Sequence, residues 1–376
     1  MCGGAYEDVS EINKGEKIMG FITNILVIGN GFDLAHGLPT NYGDFLKFVQ
    51  NFQEYKKGNM LQDNAFYSYF KNLYEEKNDI FNEINTLISN NCWLAHFAEI
   101  FDERCKDGKT GWIDFESEIS TVIQAFDSER LRHKNKVATP KPITNSKQLA
   151  NAIFELNFTP DNYKKRKSQL YKDLNRLTRC LEIYLSDYIK IENCQPRKVL
   201  QDLKINGVVS FNYTNTFEVL YEKNLDKKPE YDYIHGKARL DSNVNDCNLV
   251  LGIDEYLQGE QRDKDNEFIQ FKKFFQRIYK GTGSRYIDWL NNLNLLDDID
   301  NRPDLNIYVY GHSLDVTDAD IFRRLILANH AKTHIFYHKP DALSSQIANL
   351  VMIIGEEKLI QFTDGSKRKI EFIPLY

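Results

Sequence analysis

Paired cysteines, proline and long apolar runs are scarce in this chain, and each scarcity narrows what it can be. The six cysteines stand singly at 2, 92, 105, 180, 194 and 247. None forms a C-x-x-C pair, so a zinc site of the usual spacing is not written here. Scattered single thiols without a signal peptide fit a reducing compartment, and a cytoplasmic location is expected. No apolar stretch is long enough to span a bilayer, so no membrane partner is expected. Basic residues are not in excess. With 48 Lys and Arg against 54 Asp and Glu, the net charge is −6, and no nucleic-acid partner is expected. Nine prolines in 376 residues, beside 24 Phe and 21 Tyr, suit a compact helix-rich body of one large or two ordinary domains.

Against this background one segment carries most information. Residues 25–42 read ILVIGNGFDLAHGLPTNY. A short apolar run ending in Gly29-Asn30-Gly31 predicts a parallel strand turning tightly into a loop able to approach a phosphate. It departs from the usual dinucleotide fingerprint. Leu34 stands where that pattern wants Gly or Ala, and no acidic residue follows about 20 positions on. An ordinary dehydrogenase is disfavoured.

Strand-like runs occur at 24–29, 206–211, 231–235, 248–252, 306–311, 333–337 and 369–375, by length and β-branched or aromatic content. Between 45 and 200 the spacing is helical. Leu170, Leu174, Leu177, Leu181, Tyr184 and Tyr188 mark one face of an amphipathic helix, with Thr159-Pro160 as its N-cap and first residue. Lys164–Lys167 form a solvated face of that helix. A second helical stretch, 256–292, carries Phe268, Phe271, Phe274, Phe275 and Ile278 at core-like spacing. The expected architecture is an α/β domain, residues 19–44 with 201–376, interrupted after its first strand by a helical insertion, 45–200. Residues 1–18 are polar and patternless, and are expected to be a disordered or upstream extension. Lys14-Gly15-Glu16-Lys17-Ile18-Met19 reads as a ribosome-binding tract translated in frame, with Met19 the natural start.

Three further strand-to-loop junctions hold polar residues where an open parallel sheet places its ligands. They are Ser210-Phe211-Asn212-Tyr213-Thr214, Ile234-His235-Gly236, and Gly311-His312-Ser313-Leu314 followed by Asp315 and Asp318. Each has a structural alternative. Asn212 could form an Asx-turn, His235 could be a satisfied turn histidine, and Ser313 could cap a helix with Asp315 near its positive end. Asp114 and Glu116 read either as the acidic first turn of a helix or as groups closing over the site from the insertion. His36 reads equally as packing or as a site residue. His330, His334 and His338 recur every four residues, but 333–337 reads as strand, so a helical metal pair is rejected.

Taken together, Gly29-Asn30-Gly31-Phe32-Asp33 with Gly37-Leu38-Pro39 resembles the sirtuin nucleotide loop G-A-G-x-S…G-I-P at identical spacing. Ser210–Thr214 resembles the T-x-N-x-D stretch, Ile234-His235-Gly236 the catalytic H-G, and Gly311–Leu314 the late G-x-S-L, all in the same order. The strings GNGFDLAHGLPTNYGDF and YGHSLDVTDADI resemble the bacterial abortive-infection family AbiH, a phage-defence group. That resemblance runs over nearly the whole chain from Met19.

The resemblance implies a sirtuin-like Rossmann parallel sheet with a large helical insertion after the first strand, and defence by self-intoxication. It implies NAD as the ligand and substrate, with no metal. Asn212 and His235 take the catalytic positions. Gly29, Asn30, Gly31, Asp33, Pro39, Gly311, His312, Ser313 and Asp318 take nucleotide-binding positions. Two departures stand out. Asp33 replaces the serine of the first loop, and Thr214 replaces the acid of the Asn motif. The zinc-binding Cys pairs and any evident peptide groove are missing, which argues against protein deacylation. The expected activity is NAD glycohydrolysis by an abortive-infection effector, with a phage-derived activator and a homo-oligomeric assembly. The alternatives are a non-catalytic NAD or ADP-ribose sensor and, last, a metal-dependent nuclease toxin.

Overall fold

In the computed structural model the described residues are 21–106, 113–135, 159–254, 265–296, 303–365 and 368–375. The expected extension 1–18 and the start at Met19 lie outside them. Among the described residues one sheet is built from β1 (Asn24–Ile28), β2 (Gly207–Ser210), β3 (Glu230–Tyr233), β4 (Leu305–Tyr310), β5 (Ala331–Tyr337) and β6 (Ile370–Pro374). The order is β3-β2-β1-β4-β5-β6 and every pairing is parallel. Parallel neighbours need long crossovers, and these supply helices to both faces. Side chains on β1 alternate accordingly. Leu26 and Ile28 enter one core and Ile25 and Val27 the other, all nearly solvent-free.

Among the described residues the chain between β1 and β2 is helical, as expected: α1 (Asn30–Ala35), α2 (Tyr42–Lys57), α3 (Ala65–Glu76), α4 (Asn78–Ile88), α5 (Cys92–Lys106), α6 (Phe115–Asn135), α7 (Pro160–Ile183) and α8 (Lys198–Gln201). Phe45, Phe48, Phe52, Phe70, Phe97 and Phe115 share its interior, and that interior is continuous with one face of the sheet. Thr159 Oγ1 accepts from the Asn162 N–H at 3.2 Å and Pro160 opens α7, the cap read from the sequence. The helix runs on through a wider π turn, Tyr184–Tyr188. Tyr184 Oη donates to the Pro39 carbonyl at 2.5 Å and so ties the insertion to the loop after β1. Arg179, fully buried, pairs with Glu182 at 2.7 Å and Glu83 at 2.8 Å and donates to the Arg239 and Leu240 carbonyls. That network fastens α7 to the loop beyond β3.

The remaining helices are α9 (Thr216–Tyr221), α10 (Lys273–Lys280), α11 (Arg285–Asn294), α12 (Ala319–Ile326), α13 (Pro340–Ile354) and α14 (Glu356–Thr363). Among the described residues, no helix is long and apolar enough to cross a membrane.

Two sequence expectations change. The run 248–252 is not a strand, although Leu249, Val250 and Leu251 are buried like one. Its backbone groups are satisfied off the sheet. The Val250 N–H donates to the His235 carbonyl, and the Gln276 amide both accepts from Leu251 N–H at 3.1 Å and donates to Leu251 O at 3.0 Å. One side-chain amide thus does the work of a neighbouring strand. The stretch 256–292 breaks into a 3₁₀ turn (Ile269–Phe271), α10 and α11, with residues 255–264 outside the description. Phe268 and Phe271 are core, but Phe274 and Ile278 are exposed, so the aromatic spacing does not mark a single buried face.

Candidate functional site

In a doubly wound sheet the ligand crevice lies beyond the strand C-termini, where the order reverses. Here that point falls between β1 and β4. Their exit loops meet there. The Gly31 N–H donates to the Gly311 carbonyl at 2.8 Å. A Cβ on Gly31 would stand 2.7 Å from that oxygen, and one on Gly311, which has φ +67°, would stand 2.1 Å from Phe32 N. Glycine at both positions is required by the closeness of two backbones. The Phe32 N–H is taken by the Gly29 carbonyl and the Gly29 N–H faces Tyr310 O. Most donors of this loop are therefore engaged inside the protein.

A cavity of about 1430 Å³ opens beside this junction, above the roughly 300–1,000 Å³ usual for small-ligand pockets. Asn212, from the end of β2, and His235, from the end of β3, both line it. Asp33, from α1, lines it too. Asp33 Oδ2 accepts from Thr214 Oγ1 at 2.5 Å. Its Oδ1 and Asn212 Nδ2 are both buried and neither makes an aligned hydrogen bond, although the Asn212 amide stands within reach of the Asp33 carboxyl. Burial pushes the Asp33 carboxyl up to about 6, against the opposing pull of Thr214, Thr216 and Asn212.

Asp318, which also lines the cavity and is buried just before α12, sits between two imidazoles. His235 Nε2 is 3.4 Å from its Oδ1 and His312 Nε2 is 3.6 Å from its Oδ2. His235 Nε2 has ion-pair proximity without hydrogen-bond alignment. His312 Nδ1 accepts from the Leu314 N–H at 2.9 Å, which fixes the proton of the neutral ring on Nε2, toward Asp318. Phe211 edges against both rings, at 5.6 Å and 4.4 Å. Burial raises Asp318, but the two histidines and Lys273 outweigh it and hold its carboxyl well below the usual range.

Sequence reasoning missed Lys273 and Asp254. Lys273 opens α10, is buried, and places Nζ 2.6 Å from Glu116 Oε2 of the insertion. Burial works to lower its pKa, yet Glu116, Asp318 and Asp254 raise it. Burial in turn pushes Asp254 up to about 6, and pushes Glu116 up against the pull of Lys273 and His235. The paired acids of the insertion divide their roles. Both line the cavity, but Asp114 Oδ1 accepts from the Glu116 N–H at 3.0 Å as the cap of α6, whereas Glu116 pairs with Lys273. A lysine beside aromatic core residues carried no sequence signal of its own.

The other candidates are placed as follows. Asn30 lines the cavity and its Oδ1 accepts from Thr40 at 2.8 Å. Ser313 is exposed on the rim. It is not the cap of the following turn, a role taken by Asp315, whose Oδ1 accepts from Thr317 N–H at 3.0 Å. Pro39 is exposed and is not among the residues lining the cavity. His36 is a packing residue, with Nδ1 2.7 Å from Phe32 O and Nε2 2.7 Å from Tyr221 Oη. Among the described residues no three His, Cys, Asp or Glu side chains converge as metal ligands.

A doubly wound parallel sheet with a large cavity at its switch point defines an α/β protein of Rossmann-like class. Within that class the chain belongs to the bacteriophage abortive infection AbiH family, whose model matches residues 25–338. Comparisons with curated proteins and with solved structures gave no match. Membership supports a role in phage abortive infection.

Proposed function

We propose that the cavity takes NAD and that the protein hydrolyses it to nicotinamide and ADP-ribose as an abortive-infection effector. The observation that carries this reading is that Asn212 and His235, from two different strand ends, line one cavity. A second observation concerns the two departures from the sirtuin-like pattern. That pattern has a hydroxyl in the first loop and an acid after the Asn. This chain has the acid at 33 and the hydroxyl at 214, and the two are hydrogen-bonded. The departures act as one coupled exchange that keeps a carboxyl–hydroxyl pair with its ends swapped.

The chemistry asks little acid assistance. The glycosidic nitrogen of NAD is already cationic, so nicotinamide leaves neutral, taking the electron pair of its bond to C1′. Water adds at C1′ and gives up a proton. An Asn amide can accept from that water while donating to a ribose hydroxyl. His235 is the base for the proton, and Asp318, ionised beside it, favours the resulting imidazolium. Asp318, Asp254 and Glu116 line the same cavity with Lys273 as their opposing cation, three acids against one lysine, a balance of the sign that favours positive charge developing at C1′.

The test is incubation of the purified full-length protein with NAD, alone and with lysate of phage-infected cells, followed by chromatography for nicotinamide. Release by the wild type, abolished in Asn212→Ala and His235→Ala with folding intact, is expected. Bound but uncleaved NAD under both conditions would leave the sensor reading. Metal-dependent loss of nucleic acid with NAD untouched would favour the nuclease.

A further inference from the structure

His312 lines the cavity, yet neither nitrogen of its ring is free for a ligand. Nδ1 accepts from the Leu314 N–H at 2.9 Å, and Nε2 stands 3.6 Å from Asp318 Oδ2. The ring is also packed, with the Phe211 and Phe322 ring centres at 4.4 Å and 4.7 Å. The turn that carries it is held against its own backbone preference. Leu314 has φ +58°, a left-handed conformation that costs a non-glycine residue about 1–2 kcal/mol, and its side chain is fully buried in the core that Ile25 and Val27 enter. Gln346 and Asn349 of α13 donate to the His312 and Ser313 carbonyls at 3.2 Å and 3.0 Å. Strain kept in place by so many outside ties marks a turn whose geometry is used. His235 differs. Its Nε2 is enclosed and faces Asp318 Oδ1 at 3.4 Å, whereas Nδ1 has no hydrogen bond among the described residues and is not enclosed. One carboxylate thus stands between a ring with no nitrogen to spare and a ring with one.

We propose that His312 is a positioning residue: it holds Asp318 so that the carboxylate fixes the proton of His235 on Nε2, which makes Nδ1 the nitrogen that takes the proton from water. This assignment rests on the hydrolytic reading of the same cavity and deepens it by naming the working atom. A neutral imidazole donates from one nitrogen and accepts at the other, and the partner of the first decides which is which. As the water oxygen bonds to C1′ and nicotinamide leaves with the electron pair of the broken bond, the water proton passes to Nδ1. The resulting imidazolium keeps Nε2–H directed at Asp318, whose negative charge favours it. His312 thereby moves from the nucleotide contact that the resemblance implies to support of the carboxylate.

The test compares His312→Asn with His312→Gln in the full-length protein. Asn places an acceptor at the position of Nδ1 and keeps the tie to Leu314, but offers Asp318 no donor. Gln carries a donor out to the position of Nε2 and keeps the tie to Asp318. Nitrogen-15 NMR of the histidine rings at about pH 8, where an ordinary imidazole is neutral, reads the tautomer directly, and the signal absent from His235→Ala identifies His235. The wild type and His312→Gln are expected to show His235 protonated on Nε2 alone, and His312→Asn a mixture of both tautomers. Asp318→Leu, with no acceptor for either ring, is expected to give the same mixture, and circular dichroism checks every variant for folding. In nicotinamide release from NAD, His312→Asn is expected to lose about tenfold to a hundredfold in kcat, the cost of a misplaced catalytic group, with KM within about twofold. His312→Gln keeps most of the wild-type rate. Protonation of His235 on Nδ1 in the wild type, an unchanged tautomer in His312→Asn or in Asp318→Leu, or a raised KM with kcat intact overturns the proposal. The expected tautomers without any release of nicotinamide leave the placement of His312 standing and remove only the hydrolase.

Discussion

Lys273 Nζ lies 2.6 Å from Glu116 Oε2 inside the cavity, joining the stretch after β3 to the insertion after β1. Glu116 is partly exposed, with 22 % of its side chain open to solvent, whereas Lys273 is at 5 %. The lysine also answers Asp254 and Asp318. Losing a buried ion costs most when it strands several opposite charges.

The pair therefore has an asymmetric energetic role. Lys273→Met leaves three acids without their cation and is expected to destabilise by about 3–5 kcal/mol. Glu116→Gln leaves Lys273 two other carboxylates, and its solvent exposure further weakens the loss, to about 1–2 kcal/mol. Urea unfolding of the two variants checks the order. Equal losses, or a larger one for Glu116→Gln, would show that the lysine is held by Glu116 alone.

How much of this was legible beforehand varies with the kind of signal. Strand exits were legible because a buried parallel strand is a run of apolar residues that ends abruptly in Gly or a polar residue. β1, β2 and β4 all end that way. Asn212 and His235 were found because they follow such runs. The run 248–252 misled, since burial and strand pairing leave the same apolar text, and the Gln276 amide that replaces a neighbour is distant in sequence. Glu116 was readable as a choice between two roles, but Lys273 was not readable at all. Its partners come from α6, from the segment after 252 and from the turn before α12, and no local pattern brings those together.

Asp33 gives a pH dependence with an unusual sign for an acid. Burial raises its folded pKa to about 6 from 3.8. Between these values the folded chain keeps a proton that the unfolded chain has released. Its contribution to stability therefore falls as pH rises through that window and is flat above it. The full span is worth up to about 3 kcal/mol. The titratable groups facing Asp33 are Cys194 and Tyr233, and burial pushes both upward, so they stay neutral throughout. Asp33→Asn is expected to be more stable than the wild type at pH 8, by up to that amount, with the gap closing toward pH 4. Denaturant melts of both proteins across this range measure it. A gap that does not change with pH would mean that Asp33 is not held against its own charge.

Gly31 separates two explanations of the first loop. If glycine were needed there only so that a ligand phosphate could approach, an added methyl group would weaken binding and leave the fold untouched. The structure gives it another duty, since a Cβ at 31 would stand 2.7 Å from the Gly311 oxygen and 2.9 Å from its Cα. Backbone atoms on both sides cannot swing aside as a flexible side chain would. Gly31→Ala is therefore expected to force the loops after β1 and β4 apart and to cost about 1–3 kcal/mol of stability, the range for overpacking a tight interior. Gly37 offers the control at the other end of the same loop. A Cβ there meets nothing within 4 Å, although its φ of +77° makes alanine strained, for a loss of about 1 kcal/mol. Thermal unfolding of both variants, with and without ADP-ribose, distinguishes the cases. A Gly31→Ala protein that melts like the wild type but no longer responds to ADP-ribose would restore the phosphate-approach explanation of this loop.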